Sequence, residues 1–351
     1  MPRVWVTFGP LTTVGANGLC PDMYIVTGGA GFIGSNIVAG LEAAGVGPVV
    51  ICDRLRDGAK WRNIAKRTVN DIVRPEDLMP WLERHRGVVK AIIHMGAISA
   101  TTETDVDLIL ATNFRLSVAL WDWCAQTHTR LIYASSAATY GDGSAGFDDT
   151  FSADALARLR PLNPYGWSKH LFDRRVREDL DGGHHAPPQW VGLKFFNVYG
   201  PNEYHKAGQM SVVAQVHPVA RRGEAFPLFR SHRPDVPDGG QSRDFIWVDD
   251  VVDVVLWLLS RPTVSGLYNL GTGQARSFLD LASAVYRALG QEPAIAWRDT
   301  PEAIRDKYQY FTQAEMGRQR AAGYERPFTP LEQGVERYVQ DFLNNEADPY
   351  R

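Results

Sequence analysis

Tyr165 and Lys169, in the stretch YGWSK, stand four residues apart, the spacing that puts two side chains on one face of a helix. A phenol is a poor base at its ordinary pKa of ~10, but a nearby cation favours the phenolate. Upstream, SSAATYG follows an apolar run and offers Ser136 at a strand end, suited to hydrogen-bond a substrate hydroxyl that Tyr165 deprotonates. A Tyr-x-x-x-Lys pair recurs by chance in helices. Its weight depends on what the preceding chain builds.

What precedes it is a glycine-rich turn. TGGAGFIG places Gly28, Gly31 and Gly34 directly after the apolar run YIVTG, at the start of a helical pattern from Gly31 to Gly45. Without Cβ atoms, backbone N–H groups can approach a pyrophosphate, and a helix N-terminus favours the anion. Asp53 ends the next strand, VVICD, about 20 residues on, as the dinucleotide fingerprint requires. An aspartate there accepts the adenosine ribose hydroxyls and favours NAD. Arg54 follows at once, with Arg56 and Lys60 behind it, and a guanidinium beside that ribose grips a 2′-phosphate. The reading favours NADP and leaves NAD open. A bound nicotinamide is also a second cation to favour the Tyr165 phenolate.

The elements that must position these residues alternate. Strands at YIVTG, VVICD, VVKAIIHMGA, RLIYASSAATYG and QWVGLKFFNVYG are separated by helical stretches, including one from about Asp105 to Ala125 and one at YGWSKHLFDRRVRED. That alternation predicts an α/β fold: a Rossmann-type doubly wound parallel sheet with a smaller C-terminal α/β substrate lobe. Ligands then sit at the carboxyl ends of the strands. The expected division is a cofactor domain over 23–200 and a mainly substrate-binding lobe over 201–351, with some segments returning to the first. Residues 1–22 read as an extension from an upstream start codon, with Met23 the natural beginning.

The chain has 351 residues, 44% hydrophobic and 22% charged, with 37 Lys+Arg against 40 Asp+Glu. A net charge of −3 gives no field for nucleic acid or a membrane surface. No apolar run approaches the ~18 residues of a membrane span. Three scattered cysteines, Cys20, Cys52 and Cys124, argue against a disulfide framework or a zinc site and suit a reducing, cytoplasmic compartment. No metal is expected. His184 and His185 read as an exposed turn, Trp61, Trp81, Trp121 and Trp123 as packing residues, and the GTG at Gly271–Gly273 as a turn.

Together with the glycine turn and the Ser/Tyr/Lys set, ASSAATYG, NVYGPNEYHK, SRDFIWVDDVVDV, YNLGTGQARSF and YQYFTQAEM resemble the extended short-chain dehydrogenase/reductases, and among them the ADP-heptose 6-epimerase family. The resemblance covers residues 23 to about 343. It implies bound NADP, an ADP-heptose substrate inverted at C6 through a ketone on the way to the lipopolysaccharide inner core, and a homo-oligomer, often a pentamer. By matching motif, Tyr165 is the catalytic tyrosine, Lys169 its partner and cofactor ligand, and Ser136 the hydroxyl-orienting serine. Lys206, in the HK of NEYHK, is the second acid/base and also a cofactor contact. Phe32, Ile33, Asp53, Arg54, Lys60, Asp71, Ile72, Met95, Gly96, Ala97, Ser99, Asn113 and Val198 join the glycines at cofactor positions. Asn197, His217, Phe229, Arg243 and Tyr308 fall with Ser136 at substrate positions. The chain departs from the family at Arg54, usually asparagine, and at Met95, commonly glutamate. It also departs in KAGQM, which shifts the match of His217 by one residue, and in the longer proline-rich loop before Arg243.

Overall fold

Short runs of β-branched and aliphatic residues form the strands of the computed structural model, which describes residues 22–305 and 309–351. The expectations for residues 1–21 and for Tyr308 lie outside the described residues. In chain order the strands are β1 (Met23–Thr27), β2 (Val49–Cys52), β3 (Asp71–Val73), β4 (Val89–His94), β5 (Arg130–Ser136), β6 (Trp190–Phe195), β7 (Asn197–Tyr199), β8 (Phe226–Phe229), β9 (Ser242–Trp247), β10 (Gly266–Leu270), β11 (Ala275–Ser277) and β12 (Ile295–Arg298). Seven of them make one parallel sheet in the order β10-β6-β5-β4-β1-β2-β3. Chain direction across the sheet reverses between β1 and β4, the switch point where such folds bind ligands.

Successive residues of these strands feed opposite faces, and helices cover both. Ile25, Val50, Ile92 and Leu131 pack with Trp81, Leu120, Trp121 and Phe172 on one side. Val26, Ile51, Ile93 and Ile132 pack with Ile37, Val38, Val251 and Val255 on the other. That two-sided burial explains why the strands read as unbroken apolar runs. A third core gathers Val213, Val216, Trp247, Leu281, Val285 and Tyr338 around the small sheet β11-β9-β7. β8 and β12 form a separate parallel pair. β10 and the helix Val248–Ser260 lie beyond residue 200 yet pack on the large sheet.

Three local features differ from the sequence expectation. QWVGLKFFNVYG is two strands: β6 stays in the large sheet while β7 pairs with β9 in the small one. The chain bends at Phe196, whose N–H still donates to Leu270 O at 3.0 Å. The helical stretch beginning at Val106 contains a π-type turn, Leu110–Arg115, before it continues to Thr127. Trp61 is 52% exposed, so it is a surface side chain, whereas Trp81, Trp121 and Trp123 are buried as packing residues. No helix among the described residues is long and apolar enough to cross a membrane.

Candidate active site

A cleft of about 1320 Å³ opens at the carboxyl ends of β1, β2, β4, β5 and β6. Its floor is the glycine turn. Gly28 has φ +64, and a Cβ there would meet Gly96 Cα at 2.7 Å, so β1 and β4 approach more closely than any side chain allows. At Gly34 an added Cβ would lie 2.1 Å from Gly28 O. The helix Phe32–Ala43 starts without a side-chain cap, and Phe32, Ile33 and Gly34 line the cleft. This cradle of close backbone and uncapped N–H groups fits the pyrophosphate of a dinucleotide.

Asp53, at the end of β2, accepts from Ala30 N at 2.9 Å and Arg54 N at 2.7 Å and forms an ion pair with Lys60. Arg54 is not free beside it: its guanidinium pairs with Glu76, with Nε donating at 2.7 Å. Met95, Gly96, Ala97 and Ser99 follow β4 along the cleft wall, and Val198 and Asn197 come from β7. Asn113 lies behind that wall. From the π-type turn its amide spans the backbone of Ile98, accepting from N at 2.8 Å and donating to O at 3.0 Å, so it shapes the segment rather than lining the cleft.

Ser136, Tyr165 and Lys169 meet at the opposite wall. The helix Pro164–Asp181 begins with Asn163, whose Oδ1 accepts from Gly166 N at 2.8 Å, and with a proline in its first turn. Gly166 lets this helix lie against the turn after Ser136, because a Cβ there would sit 2.6 Å from Ala138 O. Burial raises the Tyr165 phenol above its ordinary value, and a hydrogen bond with Ser136 works against it. Loss of solvent thus dominates, and of the lowering influences expected it is the Ser136 hydrogen bond, not the ammonium, that opposes it. Lys169, 3% exposed, is itself pushed down to about 8 by burial, with Asp173 opposing.

Lys206 reaches the same cleft from the short segment Tyr204–Gln209 and lies over the Phe32 ring, 5.2 Å from its centroid. Burial lowers its pKa, and the carboxylate of Glu203 pulls it back up. Phe32 follows β1 whereas Ser136 ends β5, so Lys206 and the Ser136–Tyr165 pair enter from either side of β4.

Other expected site residues do not line this cleft themselves, although Arg243 lies over the ring of Phe278, which does, at 5.5 Å. Asp71 and Ile72 are exposed on the edge strand β3, where Asp71 accepts from Trp81 Nε1 at 2.9 Å. His217 Nε2 is bonded to Asn344 Oδ1 at 2.9 Å, on the face of its helix that meets the C-terminal segment. Phe229 carries the Arg298 guanidinium over its ring at 4.5 Å. Arg243 is 9% exposed, with Nη1 donating to Ser242 O at 2.9 Å and Nη2 to Gln309 O. The GTG turn is held by Asp244, which accepts from the N–H groups of Thr272 and Gly273. His184 and His185 are exposed. Among the described residues no group of three or more His, Cys, Asp or Glu side chains suits a metal ion.

Sequence reading missed three buried groups around the site. His94 ends β4, bridges Thr27 Oγ1 at 2.6 Å and Ser117 Oγ at 2.9 Å, and is held neutral by burial, its pKa pushed to about 3. Its signal was a lone polar residue closing an apolar run. Asp173 announced itself by its i,i+4 spacing from Lys169. Glu203 gave no signal, since the bonds that bury it come from Ser211 and Tyr338.

The fold and cleft are those of a nucleotide-dependent epimerase/dehydratase, and the model of the NAD dependent epimerase/dehydratase family matches residues 24–271. Two relatives named ADP-L-glycero-D-manno-heptose-6-epimerase align along most of the chain. That of Nitratidesulfovibrio vulgaris is 47% identical over 338 residues, 93% of this chain and 100% of its own. That of Fusobacterium nucleatum is 43% identical, covering 92% and 99%. The chain belongs to this family, in its ADP-L-glycero-D-manno-heptose-6-epimerase branch. Among solved structures, the Helicobacter pylori ADP-L-glycero-D-manno-heptose-6-epimerase superposes with a TM-score of 0.73 at 27% identity, over 92% of this chain and 96% of that one. The Thermus thermophilus UDP-glucose 4-epimerase, solved in complex with NAD, gives 0.68 at 25% identity, over 90% and 96%.

Proposed function

We propose that this protein epimerises C6 of ADP-D-glycero-β-D-manno-heptose to the L-glycero form through a 6-keto intermediate, supplying the lipopolysaccharide inner core. The observation that carries the reading is one cleft holding two ionisable groups on different supports, Tyr165 with Ser136 and Lys206 over Phe32. The names of the relatives supply the sugar.

When bound, NADP would supply the reversible hydride acceptance at C6, so that no external oxidant is consumed. Asp53 and the glycine turn would hold the dinucleotide, with Arg54 turning from Glu76 to its 2′-phosphate. Ser136 orients the C6 hydroxyl and Tyr165 removes its proton as C6 is oxidised. The ketone then presents its other face, which moves its oxygen away from Tyr165. A tyrosine fixed on a helix cannot serve both oxygen positions within ~2.6–3.2 Å. Lys206 gives the proton at the second position. Burial lowers its pKa, which eases release of that proton.

A specific observation favours NAD as the second reading of the cofactor. The Arg54–Glu76 pair places a carboxylate where a 2′-phosphate would have to displace it. Incubating the protein with ADP-D-glycero-D-manno-heptose, with either cofactor, and following the anomeric and C6 signals by NMR tests substrate and cofactor together. Turnover of a UDP-hexose at C4, with no change in the heptose, would overturn the proposal.

A further inference from the structure

Beneath the Ser136–Tyr165–Lys169 wall lies a buried ion pair to which the proposed chemistry gives no role. Asp173, fully buried, and Lys194, 1% exposed, approach at 3.5 Å between Lys Nζ and Asp Oδ2. Asp173 stands one turn beyond Lys169 on the same helix, and its carboxylate accepts from Ser135 Oγ at 2.7 Å and Tyr133 OH at 3.4 Å. Lys194, opposite Ser135 in the β5–β6 register, donates to Thr139 Oγ1 at 2.6 Å and lies over the Tyr140 ring at 4.5 Å. Thr139 Oγ1 in turn donates to Ser136 O at 2.8 Å. The chain of bonds thus runs from the helix bearing Tyr165 and Lys169 to the turn bearing Ser136.

We propose that Asp173 and Lys194 are positioning residues that lock the Ser136 turn to the Tyr165–Lys169 helix and keep the Lys169 ammonium charged. The inference rests on the catalytic reading of Ser136, Tyr165 and Lys169. Two charges removed from water are a poor route to stability, since apolar residues of similar volume usually do as well. A structural pair should therefore be replaceable, and a positioning pair should not. The ionisable groups facing Lys169 are Asp173 and Tyr165 on its own helix and His94 on β4, which burial keeps neutral. Asp173 is thus the negative charge that supports the ammonium. Its loss should move the pKa of Lys169 further down, so the ammonium is lost at lower pH.

The test is the full-length double variant Asp173→Leu/Lys194→Met, which removes both members of the buried pair together. Expected are a Tm within a few degrees of the parent, retained cofactor binding, kcat lowered about 10- to 100-fold with little change in KM, and an alkaline limb of the pH profile displaced toward acid. A folded double variant with parental kcat and pH profile overturns the positioning role. Should it fail to fold, Ser135→Ala removes only the 2.7 Å bond to Asp173; a severalfold fall in kcat supports the proposal, and an unchanged rate overturns it. Tyr165→Phe run alongside separates the two ideas. Loss of activity there with a normal double variant sinks only the positioning role. Parental rates in both remove the catalytic reading itself.

Discussion

Two lysines face one cleft from supports of different construction. Lys169 stands on an 18-residue helix, 3% exposed, with Asp173 one turn away. Lys206 stands on a six-residue segment, beside Ala207 at φ +48, with Glu203 as its neighbouring carboxylate. In both, burial lowers the ammonium pKa and a carboxylate opposes it. The helix fixes Lys169 through local bonds that repeat along the chain. The loop is fixed by distant residues: Glu203 accepts from Ser211 Oγ at 2.6 Å and Tyr338 OH at 3.0 Å, and Tyr204 OH donates to Pro349 O at 2.8 Å. Arg351 N also donates to Asn202 Oδ1 at 3.0 Å. One cleft therefore holds one lysine through local structure and another through a segment tied to the C-terminal end of the chain.

The comparison breaks most sharply at the reacting groups. Tyr165→Phe and Lys206→Met are each expected to lower kcat by about 10²–10⁴-fold, the usual loss of a general acid or base, with cofactor still bound. Near-normal epimerisation by Lys206→Met alongside an inactive Tyr165→Phe would leave a one-base mechanism and make the loop lysine a bystander.

Arg54→Ala tests the adenosine end of the cleft. It should weaken NADP binding about 10- to 100-fold more than NAD, the worth of one charge-assisted contact at roughly 1.5–3 kcal/mol. Equal losses for the two cofactors, measured by fluorescence titration, would confine Arg54 to its pair with Glu76.

His94 sharpens the contrast from the rigid side. Its folded pKa of about 3 lies below the ordinary value of 6.5, so below pH 6.5 the unfolded chain binds a proton that the folded one refuses. Stability is then fully present above 6.5 and falls with pH by about 1.4 kcal/mol per unit until about 3. Urea unfolding at pH 6.5 and 5 should show about 2 kcal/mol of loss from this residue, absent in His94→Asn. The same slope in both proteins would contradict the assignment.

The supports themselves give the smallest effects, with opposite signs. Asn163→Ala removes the cap of the Tyr165 helix and should cost about 1 kcal/mol. Ala207→Gly relieves a left-handed backbone that favours glycine and should stabilise by about 1 kcal/mol. Thermal unfolding of the two variants decides; a destabilising Ala207→Gly would mean that the loop needs its alanine for another reason.

Much of the molecule was legible because its signals are local. The sheet strands read as apolar runs since both faces are covered; the glycine turn and the Tyr165–Lys169 spacing follow from backbone geometry within a few residues, and Asp53 from the strand–helix–strand repeat that sets it about 20 residues on. The break at Phe196 was not legible, because FFNVYG is apolar on either side and only the small sheet pulls Asn197–Tyr199 away from β6. Lys194 was not singled out in the sequence, because its partner Asp173 lies on another element and the pair exists only once β6 and the helix meet. Glu76 likewise reaches Arg54 across 22 residues, and nothing in DRLRDGAK shows that its arginine is already engaged. The sequence by itself determined the strand and helix periods, the glycine turn and the one-face spacing of Tyr165 and Lys169, since each depends on neighbours a few positions away. Only the tertiary structure decided which charges are buried, which are paired, and that Lys206 shares the cleft, because solvent exclusion and ion pairing depend on contacts between residues far apart in the chain.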